Sequence, residues 1–374
     1  MTKIAYIHGN SNIIAGQEKI LLNIVREIKK SDFEPVVILP CDGVFAKELS
    51  NLRITVKFIK LHRLNKKNPF LFLSTIFQLY IYLKKEEIKL LHISGVYPNQ
   101  YSCFAAKLAG IPIICHIHST VYKKEEFNNS FLSFADFIIA VSNGVRDNIK
   151  KTGIIKKDII KVIYNGIAPK DYYIDEKRLL RLKKEFNFDN KYILIGQIGQ
   201  IIERKGIFYF IKMAEHVIKH NQNVRFFLIG DDKYEPGYMS KMKNLVNDLK
   251  LNDYFIFTGF RNEIHELISL LDIVILSSLF EGLPTILLEA MLLSKPVIAT
   301  DIPGVNEIIE DKTTGFLVPA RDHLSLARQV LMLLSNREQI NIQINNAKKK
   351  VLVDFSLEKQ ITQLTNIYNN LINK

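Results

Sequence analysis

The chain has 374 residues, 48% hydrophobic and 24% charged, with 17 glycines and 11 prolines; this excludes a disordered, collagen-like or low-complexity polypeptide and implies two domains, three at most. Three cysteines, Cys41, Cys103 and Cys115, never spaced as Cys-x-x-Cys, argue against a disulfide framework or a structural zinc and for a reducing compartment. The net charge of +13 is lopsided: residues 1–170 hold 25 basic and 13 acidic side chains, residues 171–374 hold 26 and 25, so the first half either attracts an anionic partner or carries a solvated lysine-rich surface.

Met1-Thr-Lys3 and the short apolar run after it form no secretory signal. Strands are predicted at 3–8, 35–40, 55–59, 89–93, 112–116, 137–141 and 159–163, with helices at 17–30, 45–52, 69–85, 99–108 and 142–151. The apolar stretch 70–83 contains Ser74, Thr75 and Gln78 and is shorter than the roughly 20 residues that span a bilayer. After the turn-rich Tyr164-Asn-Gly-Ile-Ala-Pro169 the pattern resumes. Strands are predicted at 192–198, 224–229, 254–257, 273–276 and 296–299, with helices at 206–219, 238–249, 262–270, 285–293 and 323–334, then helix from 337 to the end. Short β-rich runs between helical patterns specify parallel sheets covered by helices. The expected fold is α/β: two Rossmann-like doubly wound domains, 1–165 and 191–350, facing a central cleft. A linker at 166–190 joins them, and a terminal helix at 351–374 packs back toward the first.

Gly9 to Gly16 joins the first strand to the first helix, where backbone N–H groups suit an anion, although βα turns also take glycine for conformational reasons alone. In the second half, Gly196-Gln-Ile-Gly199 ends a strand and Gln200-Ile-Ile-Glu-Arg204-Lys205-Gly206 leads into a helix. Lys205 there is either an exposed first-turn lysine or a point charge for a diphosphate; a cation at that helix end opposes the dipole unless an anion lies between them. The strongest segment is Ser277-Ser-Leu-Phe-Glu281-Gly-Leu-Pro284-Thr285-Ile-Leu-Leu-Glu289-Ala. Pro284 suits the first helical turn, and Glu289 lies in an otherwise apolar helix, where an unpaired carboxylate is costly. The two carboxylates straddle a helix N-terminus, which suits a ligand carrying both hydroxyls and a phosphate.

On these residues the chain resembles the retaining glycosyltransferases of family 4, group 1 enzymes with the GT-B fold. Glu281 and Glu289 resemble the family's Glu-x7-Glu, Asn165-Gly-Ile its Asn-Gly-Ile-Asp junction, and Gly199-x5-Lys205-Gly206 its Gly-Arg-x4-Lys-Gly. Leu228-Ile-Gly-Asp231, Phe257-Thr-Gly-Phe-Arg261, Glu289-Ala-Met, Lys295-Pro-Val, Gly304-x2-Glu307 and Gly315-Phe-Leu-Val-Pro319 complete the ordered set. The resemblance is densest over 192–320.

The resemblance implies a retaining hexosyltransferase that moves a sugar from a nucleoside diphosphate sugar to a hydroxyl acceptor, in bacterial surface polysaccharide or glycolipid synthesis. Lys205 would neutralise the donor diphosphate, Glu289 would hold the ribose hydroxyls, and Glu281 would face the transferred sugar. The backbone of Gly282, Leu283, Pro284 and Thr285 would contact phosphates and sugar, and Arg204 and Arg261 would add donor contacts. His118 matches a family histidine near the donor sugar, and Gly16 the second glycine of a Gly-Gly loop. Three positions depart from the pattern: Gln200 replaces an arginine that Arg204 is near enough to stand in for, Ala15 replaces the first loop glycine, and Asp231-Asp-Lys replaces Asp-Gly.

No metal cofactor is expected, since no Asp-x-Asp occurs and Lys205 with the helix dipole supplies positive charge. His8, His92, His116 and His118 leave a metal cluster conceivable, but no carboxylate neighbours them in sequence. The expected partners are the sugar nucleotide, a polyprenyl-diphosphate-linked saccharide or other glycan acceptor, and an anionic membrane surface. Helix 69–85, flanked by Lys66-Lys67 and Lys84-Lys85, is the landing site for the last. Nucleic acid is not expected, because the lysines are not interleaved with aromatics on one sheet. A cytoplasmic enzyme, peripheral at the inner face of the membrane, is the resulting expectation; an epimerase on the same fold is the rival, and it leaves the charge asymmetry unexplained.

Overall fold

The structure, a computed structural model, describes residues 1–12, 15–64, 69–119, 131–155, 158–187, 191–335 and 337–373. Lys66 and Lys67 lie outside the described residues. The chain divides into two units, Met1–Gly166 with Leu357–Lys374, and Ile167–Ser356.

In the first unit the apolar runs form β1 (Thr2–His8), β2 (Phe33–Leu39), β3 (Thr55–Phe58), β4 (Leu90–Ser94), β5 (Ile113–Ile117), β6 (Phe137–Ala140) and β7 (Ile160–Val162). All described pairings are parallel, in the order β3-β2-β1-β4-β5-β6-β7. The order reverses between β1 and β4, the switch point at whose carboxyl edge such sheets bind ligands. Strands β4 and β5 are buried throughout, as parallel strands covered on both faces must be.

Helix α1 (Gly16–Ile28) follows β1 and buries Ile20, Leu21, Ile24, Val25 and Ile28, a stripe at helical spacing. Glu18 Oε2 accepts from Ala15 N–H at 3.0 Å and satisfies one free amide of its first turn. Helices α2 (Val44–Asn51), α3 (Pro69–Lys85), α4 (Asn99–Ala109) and α5 (Asn143–Lys151) complete the alternation.

Helix α3 is apolar nearly all round. Phe72, Thr75, Ile76, Leu79 and Leu83 point inward, while Phe70, Leu73, Phe77 and Ile81 are 78%, 56%, 62% and 46% exposed. A solvent-facing stripe of this kind exceeds the scattered apolar exposure of an ordinary surface. Among the described residues, no helix is long and apolar enough to cross a membrane.

The second unit holds β8 (Ile193–Ile198), β9 (Val224–Ile229), β10 (Phe255–Gly259), β11 (Ile273–Leu276), β12 (Val297–Thr300) and β13 (Phe316–Val318), in the order β10-β9-β8-β11-β12-β13. Its helices include α6 (Glu176–Glu185), α7 (Ile207–Ile218), α8 (Tyr238–Asp248), α9 (Ile264–Leu270), α10 (Thr285–Leu292), α11 (His323–Ser335) and α12 (Arg337–Asp354). Three differences from expectation have local causes. The expected linker, from Ile167 onward, belongs to this unit and contains α6, started by Asp175, whose Oδ1 accepts from Lys177 and Arg178 N–H. Only Leu182 of α6 is buried, so no apolar periodicity announces it. Strand β13 is three residues long and pairs with β12.

The third difference is in the terminal helix, which is broken. Phe355 is buried and its carbonyl accepts from Ile167 N–H at 2.9 Å. That contact interrupts the helical ladder and starts α13 (Leu357–Ile372) afresh. Helix α13 lies in the first unit, with Leu364, Ile367 and Tyr368 in its core. Gln360 Oε1 accepts there from Gly166 N–H at 2.9 Å.

Candidate active site

Because β8 and β11 are neighbours, the loops leaving their carboxyl ends meet. The β8–α7 connection runs through Gly199, a 3₁₀ turn at Glu203–Lys205, and Gly206 in the left-handed conformation with φ 66°. A Cβ on Gly206 would stand 1.9 Å from Ser277 O, so only glycine permits this approach. Lys205 therefore precedes α7 in its own turn and is not a first-turn residue of a helix from 206.

Polar bonds lock the two loops together. Ser277 Oγ donates to Gln197 Oε1 at 2.7 Å, and Gln197 Nε2 donates to Lys205 O at 2.6 Å. Leu279 N–H donates to Arg204 O at 2.8 Å. Thr300 Oγ1, at the end of β12, donates to Ser278 O at 2.5 Å. These bonds fix the backbone on which the charged residues sit.

Lys205 Nζ donates to Glu281 Oε1 at 2.6 Å, and Ser278 Oγ donates to the same oxygen at 2.7 Å. Arg204 Nη1 lies 3.9 Å from Glu281 Oε2, and its Nη2 donates to Gln200 Oε1 at 3.3 Å. Arg204 thus occupies the neighbourhood of the position where Gln200 departs from the family pattern. Glu281 is buried with two cations beside it, an arrangement that low local dielectric strengthens.

Gly282, Leu283 and Pro284 are buried and lead into α10. Pro284 stands at the N-cap in extended backbone, one place ahead of the first turn where the sequence put it. Helix α10 has no side-chain cap and no acid in its first turn; Leu287 N–H donates to Pro284 O at 3.1 Å, and the N–H groups of Thr285 and Ile286 ahead of it have no intrahelical acceptor. Gly304, φ 86°, approaches this loop so closely that a Cβ would lie 2.1 Å from Gly282 O.

Glu289 is buried on α10. Its Oε2 has no hydrogen-bond partner among the described residues, and His265 Nε2 lies 3.9 Å away. Arg261 is engaged elsewhere: it is paired with Glu185 of α6 and lies 5.3 Å above the Phe186 ring.

In the first unit, His118 follows β5 and is half-buried. Its Nε2 lies 3.4 Å from Ser94 Oγ, and its ring centroid is 4.2 Å from that of His116. Burial, then the neighbouring imidazoles His116 and His8, hold it well below the usual histidine range. Gly16 is the first residue of α1. His8 Nε2 meets Glu18 Oε1 at 2.8 Å. Burial pushes the Glu18 carboxyl up, but the His8 bond and charge with the backbone N–H groups outweigh it and leave it lowered. Among the described residues no group of three His, Cys, Asp or Glu is placed to hold a metal.

Sequence reasoning missed Gln197, His265 and Tyr368. Gln197 had a signal, a polar residue inside an apolar strand; His265 and Tyr368 had none.

Comparison with known proteins agrees with this architecture. The family model described as Glycosyl transferases group 1 matches residues 180–350, and the Glycosyltransferase Family 4 model matches 14–171. The chain belongs to the group 1 glycosyltransferases, and it is a glycosyltransferase of GT-B fold. It is 25% identical to the UDP-Gal:alpha-D-GlcNAc-diphosphoundecaprenol alpha-1,3-galactosyltransferase of Escherichia coli, over 80% of this chain and 80% of that one. It is also 25% identical to the alpha-D-kanosaminyltransferase of Streptomyces kanamyceticus, over 72% and 74%. Among solved structures, Anabaena HepE in complex with UDP and glucose superposes with a TM-score of 0.87 at 21% identity, covering 99% of this chain and 100% of HepE. A Rickettsia africae glycosyltransferase gives 0.88 at 22%, covering 100% and 99%.

Proposed function

We propose that the protein moves a hexosyl group from a nucleoside diphosphate sugar to a hydroxyl acceptor with retention of configuration, using the second unit for the donor and the first for the acceptor. The observation that carries this reading is the Lys205–Glu281 pair beside a helix N-terminus without a side-chain cap, with Glu289 buried on the same helix and its Oε2 unpartnered among the described residues. The donor diphosphate competes with Glu281 for Lys205 and takes the amides around Thr285, with Arg204 as second cation. Glu289 accepts from the ribose hydroxyls. The bond from the sugar's C1 to the diphosphate oxygen breaks, and the diphosphate keeps the electron pair. The acceptor oxygen bonds C1 from the same face and passes its proton to the departing phosphate oxygen. Charge growing on the diphosphate is met by groups already in place, and Glu281 faces the cationic C1. His118 and Gly16 are proposed as ligand contacts of the first unit; Arg261, held by Glu185, is the weakest of the donor assignments. The positive charge at the site supports catalysis without a metal. HepE, a fold relative, was crystallised with UDP and glucose, and the galactosyltransferase relative is named for a UDP-sugar donor. The test is proton NMR of the product formed from sugar nucleotides: an axial donor linkage must give an axial product, and inversion contradicts the reading.

The acceptor is proposed to be lipid-linked, as the name of the galactosyltransferase relative states for that enzyme. Helix α3 offers the landing surface: Phe70, Leu73, Phe77 and Ile81 outward, Lys84 and Lys85 at its end, and Lys57 5.5 Å above Tyr82. Anionic lipid attracts each nearby lysine by about 1 kcal/mol. The protein should sediment with phosphatidylglycerol vesicles at low salt, release at high salt, and lose binding in Phe70→Ser/Phe77→Ser. Equal recovery in the supernatant with neutral and anionic vesicles contradicts the membrane part alone.

A further inference from the structure

The first unit buries a continuous polar chain that the proposed chemistry does not use. Tyr6 OH donates to Tyr368 OH at 3.2 Å. Tyr368 OH lies 2.7 Å from His92 Nδ1, and His92 Nε2 lies 3.2 Å from His116 Nδ1. Every member is at most 1% exposed. The chain starts on β1, passes through the C-terminal helix α13, returns through β4 and ends on β5.

Its direction follows from counting protons. The contact with Tyr368 is the hydrogen bond the described residues give the Tyr6 hydroxyl, so donating there is what satisfies its proton. Tyr368, accepting from Tyr6, donates its own proton to His92 Nδ1. The His92 proton is then on Nε2 and is donated to His116 Nδ1, which places the His116 proton on Nε2. That nitrogen is buried and has no partner among the described residues. Burial keeps both phenols protonated and holds His92 at about 3, with His116 well below the usual range, so both rings are neutral and each carries one proton.

A second chain has the same outcome. Gln17 Nε2 donates to Ser94 Oγ at 3.3 Å, which directs the Ser94 proton to His118 Nε2 at 3.4 Å. His118 Nδ1 becomes the protonated nitrogen, and it too is buried without a partner among the described residues. Two neighbouring imidazoles at the carboxyl edge of β5, tilted 31° to one another, thus each carry an N–H with no acceptor among the described residues. A buried unsatisfied donor is costly enough to need a reason.

We infer that His116 Nε2–H is a further ligand contact, a donor to a hydroxyl or phosphate oxygen of the saccharide substrate, and that Tyr368 and His92 are positioning residues that set its tautomer from the C-terminal helix. The ligand class rests on the proposed glycosyl transfer; the tautomer does not.

Long-range proton–nitrogen correlation spectra of the ligand-free, full-length protein test the relay directly. His92 and His116 should both appear as Nε2–H tautomers. In Tyr368→Phe, which lacks the hydroxyl that His92 Nδ1 needs, His116 should lose its single tautomer and show a mixture. The transfer kcat should fall about tenfold while sugar-nucleotide affinity stays within twofold. An Nδ1–H tautomer for His116 in the unmodified protein overturns the inference, whether or not the variant folds. An unchanged tautomer and unchanged kcat in Tyr368→Phe overturn it as well. If the tautomers are as stated and no sugar nucleotide is turned over by the unmodified protein, the relay stands and the proposed ligand falls.

Discussion

Lys205 and Glu281 serve as each other's counter-charge when no diphosphate is bound, so removing either leaves a buried charge whose remaining partners are weaker. For Lys205→Met, Glu281 retains the Ser278 hydroxyl and Arg204 at 3.9 Å. The second unit should lose about 3 kcal/mol in urea unfolding. Lys205→Met/Glu281→Gln should recover most of that loss while remaining inactive; an additive loss in the double variant would contradict the pairing. Glu289 predicts the opposite split. Its carboxylate is buried with Oε2 unpartnered among the described residues, so Glu289→Gln should leave the ligand-free fold as stable or more so. The same change removes charge-assisted bonds of about 1.5–3 kcal/mol each to the donor. Calorimetry should therefore show at least tenfold weaker sugar-nucleotide binding in a protein of undiminished stability, and unchanged binding would remove Glu289 from the site.

At the scale of elements, two glycines separate close approach from conformation. Gly206 and Gly237 both have positive φ, but a Cβ on Gly206 meets Ser277 O at 1.9 Å whereas one on Gly237 meets nothing within 4 Å. Gly237→Ala should cost about 1 kcal/mol, the left-handed penalty alone. Gly206→Ala should cost distinctly more and abolish transfer, because the β8–α7 turn must leave the β11 loop; equal costs would mean the turn is free to move. The sheet core of the first unit predicts an acid weakness. His92 is lowered to about 3 by burial, against 6.5 for an exposed ring, and His116 and His118 are lowered too. Below pH 6.5 the unfolded chain binds protons that the folded chain refuses. Stability is therefore complete above that pH and falls below it by about 1.4 kcal/mol per pH unit for each such ring. Hydrogen exchange of β1, β4 and β5 amides should show reduced protection at pH 5.5 compared with pH 7.5, and equal protection would contradict the burial of neutral rings. These elements differ in how legible they are. Strands 224–229 and 273–276 and helix 69–85 stand in the sequence with their observed bounds, because a predominantly apolar run closed by polar or turn residues leaves few alternatives. Helix α6 does not, because its stability comes from a cap and charged residues with one buried leucine.

At the scale of the whole molecule, what sequence could not supply is strand order. Glu281 and Glu289 are readable as a pair because eight positions separate them, whereas Lys205 and Glu281 meet across 76 positions because β8 lies beside β11. The same reason hides Tyr368, which reaches His92 across 276 positions by way of a helix that returns to the first unit. The metal expectation also belongs to this scale, and activity should persist in excess EDTA; a loss that magnesium restores would contradict it. The central claim is that the second unit binds a nucleoside diphosphate sugar through Lys205, Glu281 and Glu289. It is tested most directly by unfolding the protein in a panel of sugar nucleotides, with Glu289→Gln in parallel. One of them, at a hundred times its dissociation constant, should raise the stability of the unmodified protein by about 2.7 kcal/mol and that of Glu289→Gln far less at the same concentration. Protection by none of the panel, or equal protection of both proteins, would contradict the account.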